Sequence, residues 1–375
     1  MQRVAHIDGL RAIAVFLVVA EHTASYVTKP GTAAASFFHS CAHGVDLFFV
    51  ISGFCLSYPV LSSIRVAGES SFDVGRYAIN RAIRIIPPYY LAIAFFIVFY
   101  YACHIPVTWP DVVRQLVFFD ATGASHMLNP SFWTLPIEFR WYTVFPFLLI
   151  VWTKSPRAFA AIAVLAACSV ATQLSTQDLL ILPAFMSGIV AAHVYIRGHR
   201  YAAFGLPLSV IFAVLGALRS PANWDNVIHP AWQAAAFCFV ISVGAIPWLR
   251  RLLSMKSMAF FGTASYSIYL VHDPLLNYLN HRGVAIGLAA ACSVAAGIIF
   301  WAVAERPFVD STPVRRYLLG ELKTFVPRWL AFAGIPNAIR LVAALPEGGT
   351  AHAFLSAPSL ATENQILAPA EATVN

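Results

Sequence analysis

Charged residues are scarce in this 375-residue chain, which holds 24 lysines and arginines and 17 acidic residues, or 11% in total. Soluble domains are about one quarter charged, so this composition excludes the ordinary soluble globular class. Hydrophobic residues make up 59% of the chain, and its mean hydropathy is +0.71. A chain this apolar cannot leave its surface in water, and we predict an integral membrane protein.

The sequence also shows no CxxC spacing and no evident signal for cleavage of a leader. The six cysteines lie mostly within apolar segments and form no CxxC pair, so the sequence does not favour a zinc or redox motif. The first apolar stretch is long, contains Glu21 and His22, and has no clear small-residue cleavage site. We therefore expect this stretch to remain in the protein as a membrane span.

Apolar runs of about twenty residues, the length that a spanning helix needs, recur along the whole chain. The predicted spans lie near residues 10–28, 44–62, 85–103, 136–153, 158–174, 179–196, 203–218, 230–248, 259–277 and 284–304. The predicted fold class is therefore an all-α, polytopic bundle of about ten transmembrane helices.

Positive charges in the connections predict the orientation of these spans. The connections rich in lysine and arginine hold Arg65, Arg76, Arg81, Arg84, Lys154, Arg157, Arg197, Arg200, Arg250, Arg251 and Lys256. The alternate connections hold only Lys29, Arg114, Arg219 and Arg282. Cytoplasmic loops carry the excess of positive charge, so the rich set and both termini are predicted to be cytoplasmic. The net charge of +7 reflects this asymmetry and does not imply nucleic-acid binding.

Two ionisable side chains share one face of the first predicted span. Arg11 and His22 are eleven positions apart. At ~100° and ~1.5 Å per residue, this spacing returns to nearly the same helix face over a depth of roughly 16 Å. Ionisable groups inside a bilayer normally face a protein interior or a wet cavity, which makes them functional candidates. A cation placed below a titratable imidazole suits the transfer of a group across a membrane.

Six sequence blocks follow one another between Ile7 and Phe308. They read IDGLRAIAVFLVVAEH from residue 7, GVDLFFVISGF from 44, RAIRIIPPYY from 81, FWTLPIEFRWYTVFP from 132, SYSIYLVHDPLL from 265 and AERPF from 304. Together they resemble the acyltransferase-3 family of membrane-bound acyltransferases, whose Arg–ten residues–His pattern falls here on Arg11 and His22. One block departs from the family pattern, because Arg140 stands where an uncharged glutamine is common.

The resemblance implies transfer of an acyl group, usually acetyl, from cytoplasmic acyl-coenzyme A to a hydroxyl of a cell-surface or exported glycan at the periplasmic side. It implies a multi-pass protein of a bacterial inner membrane, with acyl-coenzyme A as co-substrate and a carbohydrate acceptor and membrane lipid as partners. The departure at Arg140 leaves the acceptor preference open. The oligomeric state is open as well.

An inner layer of arginines is predicted to bind the donor. Arg11, Arg81 and Arg84 fall near the predicted cytoplasmic face. Guanidinium groups bind phosphate through planar, often bidentate contacts, so we expect these three residues to bind the phosphates of coenzyme A. The alternative is that Arg81 and Arg84 touch lipid headgroups as positive-inside residues and that Arg11 snorkels to the interface.

An outer layer of acids and imidazoles is predicted to carry the chemistry. O-acylation needs a base for the hydroxyl proton, and histidine has the unperturbed pKa nearest neutrality, so His22 is the predicted base. An acyl-histidine or acyl-serine relay stays open. Glu138 is the second predicted catalytic residue, and it would orient or charge-stabilise His22 or position sugar hydroxyls. Structural pairing of Glu138 with Arg140 or Arg114 is the alternative.

Three further residues are predicted to bind the acceptor. Asp46 and His272 offer hydrogen bonds, and Trp133 offers an aromatic face to a sugar ring. The structural alternatives are a turn or cap role for Asp46, packing for His272 and a place in the interfacial aromatic belt for Trp133. His39 and His43 precede Asp46 at a spacing that is weak support for a metal site, and we predict no metal because the reaction needs none.

The apolar spans stop after Phe308. We predict a transmembrane acyltransferase domain over residues 1–310 and a cytoplasmic tail over residues 311–375. The tail is expected to include a surface helix around KTFVPRWLAF and to be disordered from about residue 345. Two other functions stay open: a transporter or flippase of a lipid-linked sugar or acyl donor without chemistry, and a non-catalytic partner in a polysaccharide synthase complex.

Overall fold

Helices form most of the regular structure in the computed structural model, which describes residues 4–29, 31–118, 128–171, 177–219, 229–310 and 312–342. The helices are α1 (Ala5–Ser25), α2 (Ala33–Ser40), α3 (Gly44–Ala67), α4 (Val74–Ala102), α5 (Trp109–Leu116), α6 (Thr134–Lys154), α7 (Pro156–Ala171), α8 (Gln177–Arg197), α9 (Gly205–Arg219), α10 (His229–Ala245), α11 (Pro247–Leu253), α12 (Lys256–His281), α13 (Ile286–Phe300), α14 (Arg306–Val309) and α15 (Pro313–Phe332). Short 3₁₀ turns occur at Cys41–His43, Pro130–Trp133 and Arg200–Phe204, a π turn at Trp301–Glu305, and strands β1 and β2 at Glu69–Asp73 and Ala338–Val342.

Local sequence signals set several helix boundaries. The side chain of Asp73 caps α4 by accepting a hydrogen bond from the backbone N–H of Arg76 at 2.7 Å. Helix α3 ends at Gly68, whose φ of 76° lies in the left-handed region that favours glycine. Thr312 caps α15, and Pro313 occupies the first helical position. Because Asp73 caps it, α4 begins well before the predicted apolar span at residues 85–103. Arg81 and Arg84 therefore lie within the helix.

Each of the ten predicted spans overlaps a helix, and the eighth, at residues 230–248, crosses the junction of α10 and α11. Among the described residues, six helical stretches are long and apolar enough to cross a membrane, or seven if α10 and α11, bent by 101° at their junction, form one span. Helices α1 and α12 are outside this count, and both carry several ionisable residues. The all-α membrane class is confirmed, whereas the number of ten spans and the cytoplasmic position of both termini stay predictions.

Glycines allow α3 and α8 to approach at backbone distance. A Cβ atom added to Gly53 would lie 2.1 Å from the carbonyl oxygen of Phe185, and one added to Gly188 would lie 2.1 Å from that of Val50. Small residues are the usual solution at helix contacts in membranes, where lipid provides no hydrophobic drive between helices. Gly53 and Gly188 therefore allow the close packing of α3 and α8.

Helix α1 packs against α12, and the two helices run in the same direction. At one end, a Cβ atom added to Gly262 would lie 1.8 Å from the carbonyl oxygen of Asp8. At the other end, His22 contacts Asp273 at 3.1 Å. Because residue numbers rise together along both helices, their relative direction is the one expected of the first and ninth spans in an alternating bundle.

The described part of the predicted tail packs against the helical bundle. Arg315 of α15 donates to Oδ1 of Asn80 on α4 at 3.0 Å, and Leu330 of α15 is buried. Strand β2 pairs antiparallel with β1. The domain boundary at residue 310 stays a prediction, and the disorder expected beyond residue 345 concerns positions outside the described residues.

Replacing Gly188 by valine should destabilise the protein, because the new side chain would push α8 away from the backbone of α3. Overpacking of this kind costs about 1–3 kcal/mol, and the midpoint of thermal unfolding in detergent should fall. Gly287→Val is the matched control, since a Cβ atom at Gly287 meets nothing within 4 Å. An unchanged midpoint for Gly188→Val would contradict the close contact between the two helices.

Candidate active site

Three arginines converge on one cavity inside the bundle. Arg11 of α1 and Arg81 and Arg84 of α4 line it, and the remaining walls come from α3, α4, α6 and α12. The cavity volume is about 80 Å³. A single water needs roughly 10–15 Å³ on this measure, so the cavity has room for several waters or a slender chain, and much less than for a whole nucleotide.

The arginines retain donors for an anion. Arg81 and Arg84 are one turn apart on α4 and therefore share a face. The guanidinium carbon of Arg81 lies 5.7 Å from the ring centroid of Tyr142, and its buried Nε has no hydrogen-bond partner among the described residues. Arg11 donates to Oδ1 of Asp8 at 3.1 Å. A buried donor without a partner is costly, so an anion bound among these groups would stabilise the cluster.

Glu138 lies in the arginine cavity. Its hydrogen-bond partners are the hydroxyl of Tyr142, one helical turn away, and the hydroxyl of Ser52, whose Oγ is 3.4 Å from Oε1. The sequence predicts Glu138 in an outer layer beside His22. In the structure, it instead shares a cavity with the arginines, and among the described residues it makes no hydrogen bond or ion pair with His22. Its role as an acid–base partner of His22 stays a prediction.

The two arginines considered as structural partners of Glu138 are engaged elsewhere. Arg140 donates from Nε to Oδ1 of Asp178 at 2.7 Å. Arg114 donates from Nη1 to Oδ1 of Asp111 at 3.3 Å. Within the described part of the chain, the alternative that Glu138 pairs with either arginine is therefore wrong.

A second cluster centres on His22 near the end of α1. Its Nδ1 is 3.1 Å from Oδ1 of Asp273, and its Nε2 is 3.2 Å from Oε2 of Glu21. The ring of His272 lies beside it, with 5.0 Å between centroids. The His22 side chain is 25% exposed, which leaves it accessible. A carboxylate that holds one imidazole nitrogen fixes the tautomer and the orientation of the ring, as a general base requires.

His272 is packed behind His22 and is fully buried. Its Nδ1 lies 3.0 Å from the carbonyl oxygens of both Ile268 and Tyr269, so the Nδ1–H donates to the backbone of its own helix. This environment matches the packing alternative. Contact between His272 and an acceptor stays a prediction.

Hydrogen bonds connect the arginine cavity with the His22 cluster. Tyr269 and Thr134, both in the cavity wall, have hydroxyl oxygens 2.9 Å apart. Tyr269 also donates to the carbonyl oxygen of Ser131 at 2.8 Å, and the hydroxyl of Ser131 donates to Oδ2 of Asp273 at 3.2 Å. As far as the described residues define the cavity, His22 is not in its wall. Tyr269 and Thr134 in the cavity wall are therefore linked through Ser131 to the carboxylate that holds His22.

The two remaining predicted acceptor residues lie outside both clusters. Asp46, in the first turn of α3, is 1% exposed and contacts His43, His229 and Gln233. Trp133 ends the 3₁₀ turn before α6 and is partly buried against the core. Both assignments stay predictions, and the burial of Asp46 favours a role within the protein.

Three side chains at the site were not assigned a role from the sequence, although the sequence contains signals for each. Asp273 directly follows His272 in the SYSIYLVHDPLL block, and Tyr142 comes four residues after Glu138, which is the spacing of neighbours on a helix. Tyr269 precedes His272 by three residues and so shares its face. What the sequence could not supply is which neighbouring helix each face meets.

Comparison with known proteins identifies relatives over most of the chain. The Acyl_transf_3 family, described as an acyltransferase domain, matches residues 4–305. The peptidoglycan O-acetyltransferase OatA of Listeria monocytogenes is 24% identical over 72% of this chain and 49% of its own length. The exopolysaccharide production protein ExoZ of Rhizobium meliloti is 28% identical over 74% of this chain and 93% of its own length. The chain thus spans about half the length of OatA and most of ExoZ.

The O-acetyltransferase PaAT-1 of Phomopsis amygdali is 23% identical over 73% of this chain and 72% of its own length. No solved structure matches the chain. The residues matched by the family include those of the arginine cavity and of the His22 cluster. This chain therefore belongs to the Acyl_transf_3 family of acyltransferases.

Proposed function

We propose that the protein transfers an acyl group, acetyl in the simplest case, from cytoplasmic acyl-coenzyme A to a hydroxyl of a cell-surface or exported glycan. Relatives named peptidoglycan O-acetyltransferase and exopolysaccharide production protein support a carbohydrate acceptor. The observation that carries the proposal is an arginine cavity joined by hydrogen bonds to a His22–Asp273 pair. In this proposal, the protein lies in a bacterial inner membrane with both termini in the cytoplasm, and the acceptor approaches from the periplasm.

The arginine cavity suits the anionic end of the donor. Coenzyme A carries phosphate groups, and phosphate accepts parallel hydrogen bonds from guanidinium groups. The unpartnered Nε of Arg81 is a donor of this kind. Because a cavity of about 80 Å³ holds only a slender chain, the thioester arm would enter it while the bulky nucleotide stays at the cytoplasmic mouth.

His22 would perform the acid–base step. With its Nδ1–H donated to Asp273, its Nε2 takes the proton of the acceptor hydroxyl as the hydroxyl oxygen attacks the thioester carbonyl. The carbon–sulfur bond then breaks, and the proton passes from His22 to the leaving thiolate, which yields the ester and free coenzyme A. Glu21 lies 3.2 Å from Nε2 in the structure, so the acceptor hydroxyl would replace this carboxylate during the reaction.

The thioester has to pass Tyr269 and Thr134 to reach His22. Arg11 and His22 are eleven residues apart on α1, which corresponds to about 16 Å along the helix axis. The linear pantetheine arm of coenzyme A is of comparable length. The arm could therefore bridge the two clusters while the phosphates stay near the arginines. The hydroxyls of Tyr269 and Thr134 would offer hydrogen bonds to the amides of the arm along this route.

Arg81→Ala and Arg84→Ala should each raise the KM for acyl-coenzyme A about 10–100-fold, because each removes charge-assisted hydrogen bonds of roughly 1.5–3 kcal/mol. The kcat at saturating donor should change less, since the base is intact. Steady-state kinetics on purified protein measure both. Arg76→Ala is the matched control, because Arg76 is an exposed arginine on the same helix. Wild-type KM values for Arg81→Ala and Arg84→Ala would exclude the cavity as the donor site.

His22→Ala should lower kcat about 10²–10⁴-fold, the usual contribution of a general base. Binding of coenzyme A, measured by calorimetry, should persist because the arginines remain. Asp273→Asn should cause a smaller loss, since the imidazole stays but its orientation is no longer fixed. His281→Ala replaces an exposed histidine at the end of α12 and should behave as wild type. Undiminished transfer by His22→Ala would remove the proposed base.

Sealed vesicles separate transfer from transport. With labelled acetyl-coenzyme A on the face proposed to be cytoplasmic and polysaccharide acceptor on the other face, we expect ester-linked label on the acceptor. A transporter or flippase would carry label across without forming an ester, and a non-catalytic assembly partner would do neither. Label that crosses the membrane but stays unattached to carbohydrate would contradict the proposed function.

A further inference from the structure

A third polar cluster lies where the 3₁₀ turn before α3 meets the start of α10. His43 ends the turn, Asp46 lies in the first turn of α3, and His229 begins α10. One ligand-type atom from each of these three residues lies within 4.8 Å of the others. Two imidazoles and a carboxylate form a donor set that binds zinc and related divalent ions. The proposed acyl transfer uses none of these three side chains.

Both imidazoles approach the same carboxylate oxygen. Oδ2 of Asp46 lies 2.7 Å from Nδ1 of His43 and 3.5 Å from Nδ1 of His229. Around a tetrahedral zinc ion with bonds of about 2.0–2.1 Å, ligand atoms are about 3.3 Å apart. The three ligand atoms all lie within 4.8 Å of one another, so rotations of the side chains would bring them to the spacing of a tetrahedral site.

The burial pattern leaves one side of the cluster accessible. Asp46 and His229 are each 1% exposed, whereas the His43 side chain keeps 13% of its surface exposed. An ion would reach the cluster past the His43 ring, and water would fill the fourth position on that side. Sites with three protein ligands and one water are common for zinc.

Neighbouring side chains hold two of the ligands in place. Gln233, one turn after His229 on α10, donates from Nε2 to Oδ1 of Asp46 at 3.2 Å, which leaves Oδ2 for the cluster. The ring of Trp232 stacks on His43, with centroids 4.8 Å apart and planes within 10°. Contacts of this kind orient the ligands of metal sites.

We propose that His43, Asp46 and His229 bind one divalent ion of the zinc class, which joins the start of α3 to the start of α10. The competing arrangement is a hydrogen-bonded His–Asp–His network without an ion, in which the imidazoles donate to the carboxylate. The two differ in one respect: an ion requires both imidazoles to present unprotonated nitrogens to it. The proposal differs from the sequence-based prediction of no metal. That prediction considered only residues near Asp46, whereas the third ligand, His229, belongs to α10.

Zinc retention by the purified full chain in detergent tests the site. After chelator treatment, reloading with zinc and desalting, the wild type should hold about one zinc per chain by elemental analysis, and His229→Ala and Asp46→Ala should lose it. Gln233→Ala should weaken the affinity roughly tenfold, as loss of an outer contact does. His281→Ala removes an exposed histidine from α12 and should retain the ion, which controls for adventitious binding.

Two further measurements, cobalt(II) absorption and thermal unfolding, can be made on the wild-type protein. They test the site even if a variant fails to fold. Cobalt(II) should produce the visible absorption of a four-coordinate site with nitrogen ligands. Added zinc should raise the thermal midpoint of the wild type, because it binds the folded state, and should not raise that of His229→Ala. A wild type that retains no zinc, or a His229→Ala protein that binds zinc as tightly as the wild type, would overturn the proposal and favour the hydrogen-bonded network.

Discussion

The parallel packing of α1 against α12 is the constraint on which the candidate site depends. At one end of this contact, Gly262 lets α12 approach the backbone at Asp8, and at the other end His22 meets Asp273. Arg11 sits between the two ends on the same helix. An α-helix rises a fixed ~1.5 Å per residue. The position of α1 therefore fixes the distance between the arginine cavity and the His22 cluster.

Helices α1 and α12, which are outside the count of apolar spans, carry Arg11, His22, His272 and Asp273 of the candidate site. Ionisable groups in a bilayer are tolerated where other helices or a wet cavity shield them. Two apolar stretches that pack against each other, Ala33–Ala67 and Gln177–Arg197, each have 56% of their most apolar segment buried. The corresponding share is 17% for Tyr201–Leu218 and Ile286–Val309. The two less buried helices thus present apolar surface, while His22 of α1 meets Asp273 and His272 of α12 inside the bundle.

The membrane class and the positions of the helices were predictable because hydropathy is a local property of the sequence. The convergence of Arg11, Arg81 and Arg84 was also predictable, since few cations interrupt the apolar segments and the positive-inside rule sorts them by depth. Their meeting in one cavity agrees with that prediction.

The pairing of side chains was predicted less well, because it depends on helix rotation and on which helices are neighbours. Depth along α6 suggested that Glu138 faces His22, but the rotation of α6 turns it towards Ser52 of α3 and the arginine cavity. The carboxylate that does contact His22 is Asp273. In the same way, neither hydropathy nor spacing along α3 could indicate that His229 of α10 lies beside Asp46.

The most direct measurement of the central claim is an experimental structure of the protein with a non-hydrolysable acyl-coenzyme A analogue. The account predicts phosphates on Arg81 and Arg84, an arm that passes Tyr269, and an acyl carbonyl carbon close to His22. A hydroxyl oxygen about 3–3.5 Å from that carbon would then lie within hydrogen-bond reach of Nε2 of His22. Phosphates bound away from the arginines, or an acyl end held apart from His22 by an unbroken Tyr269–Thr134 contact, would contradict it.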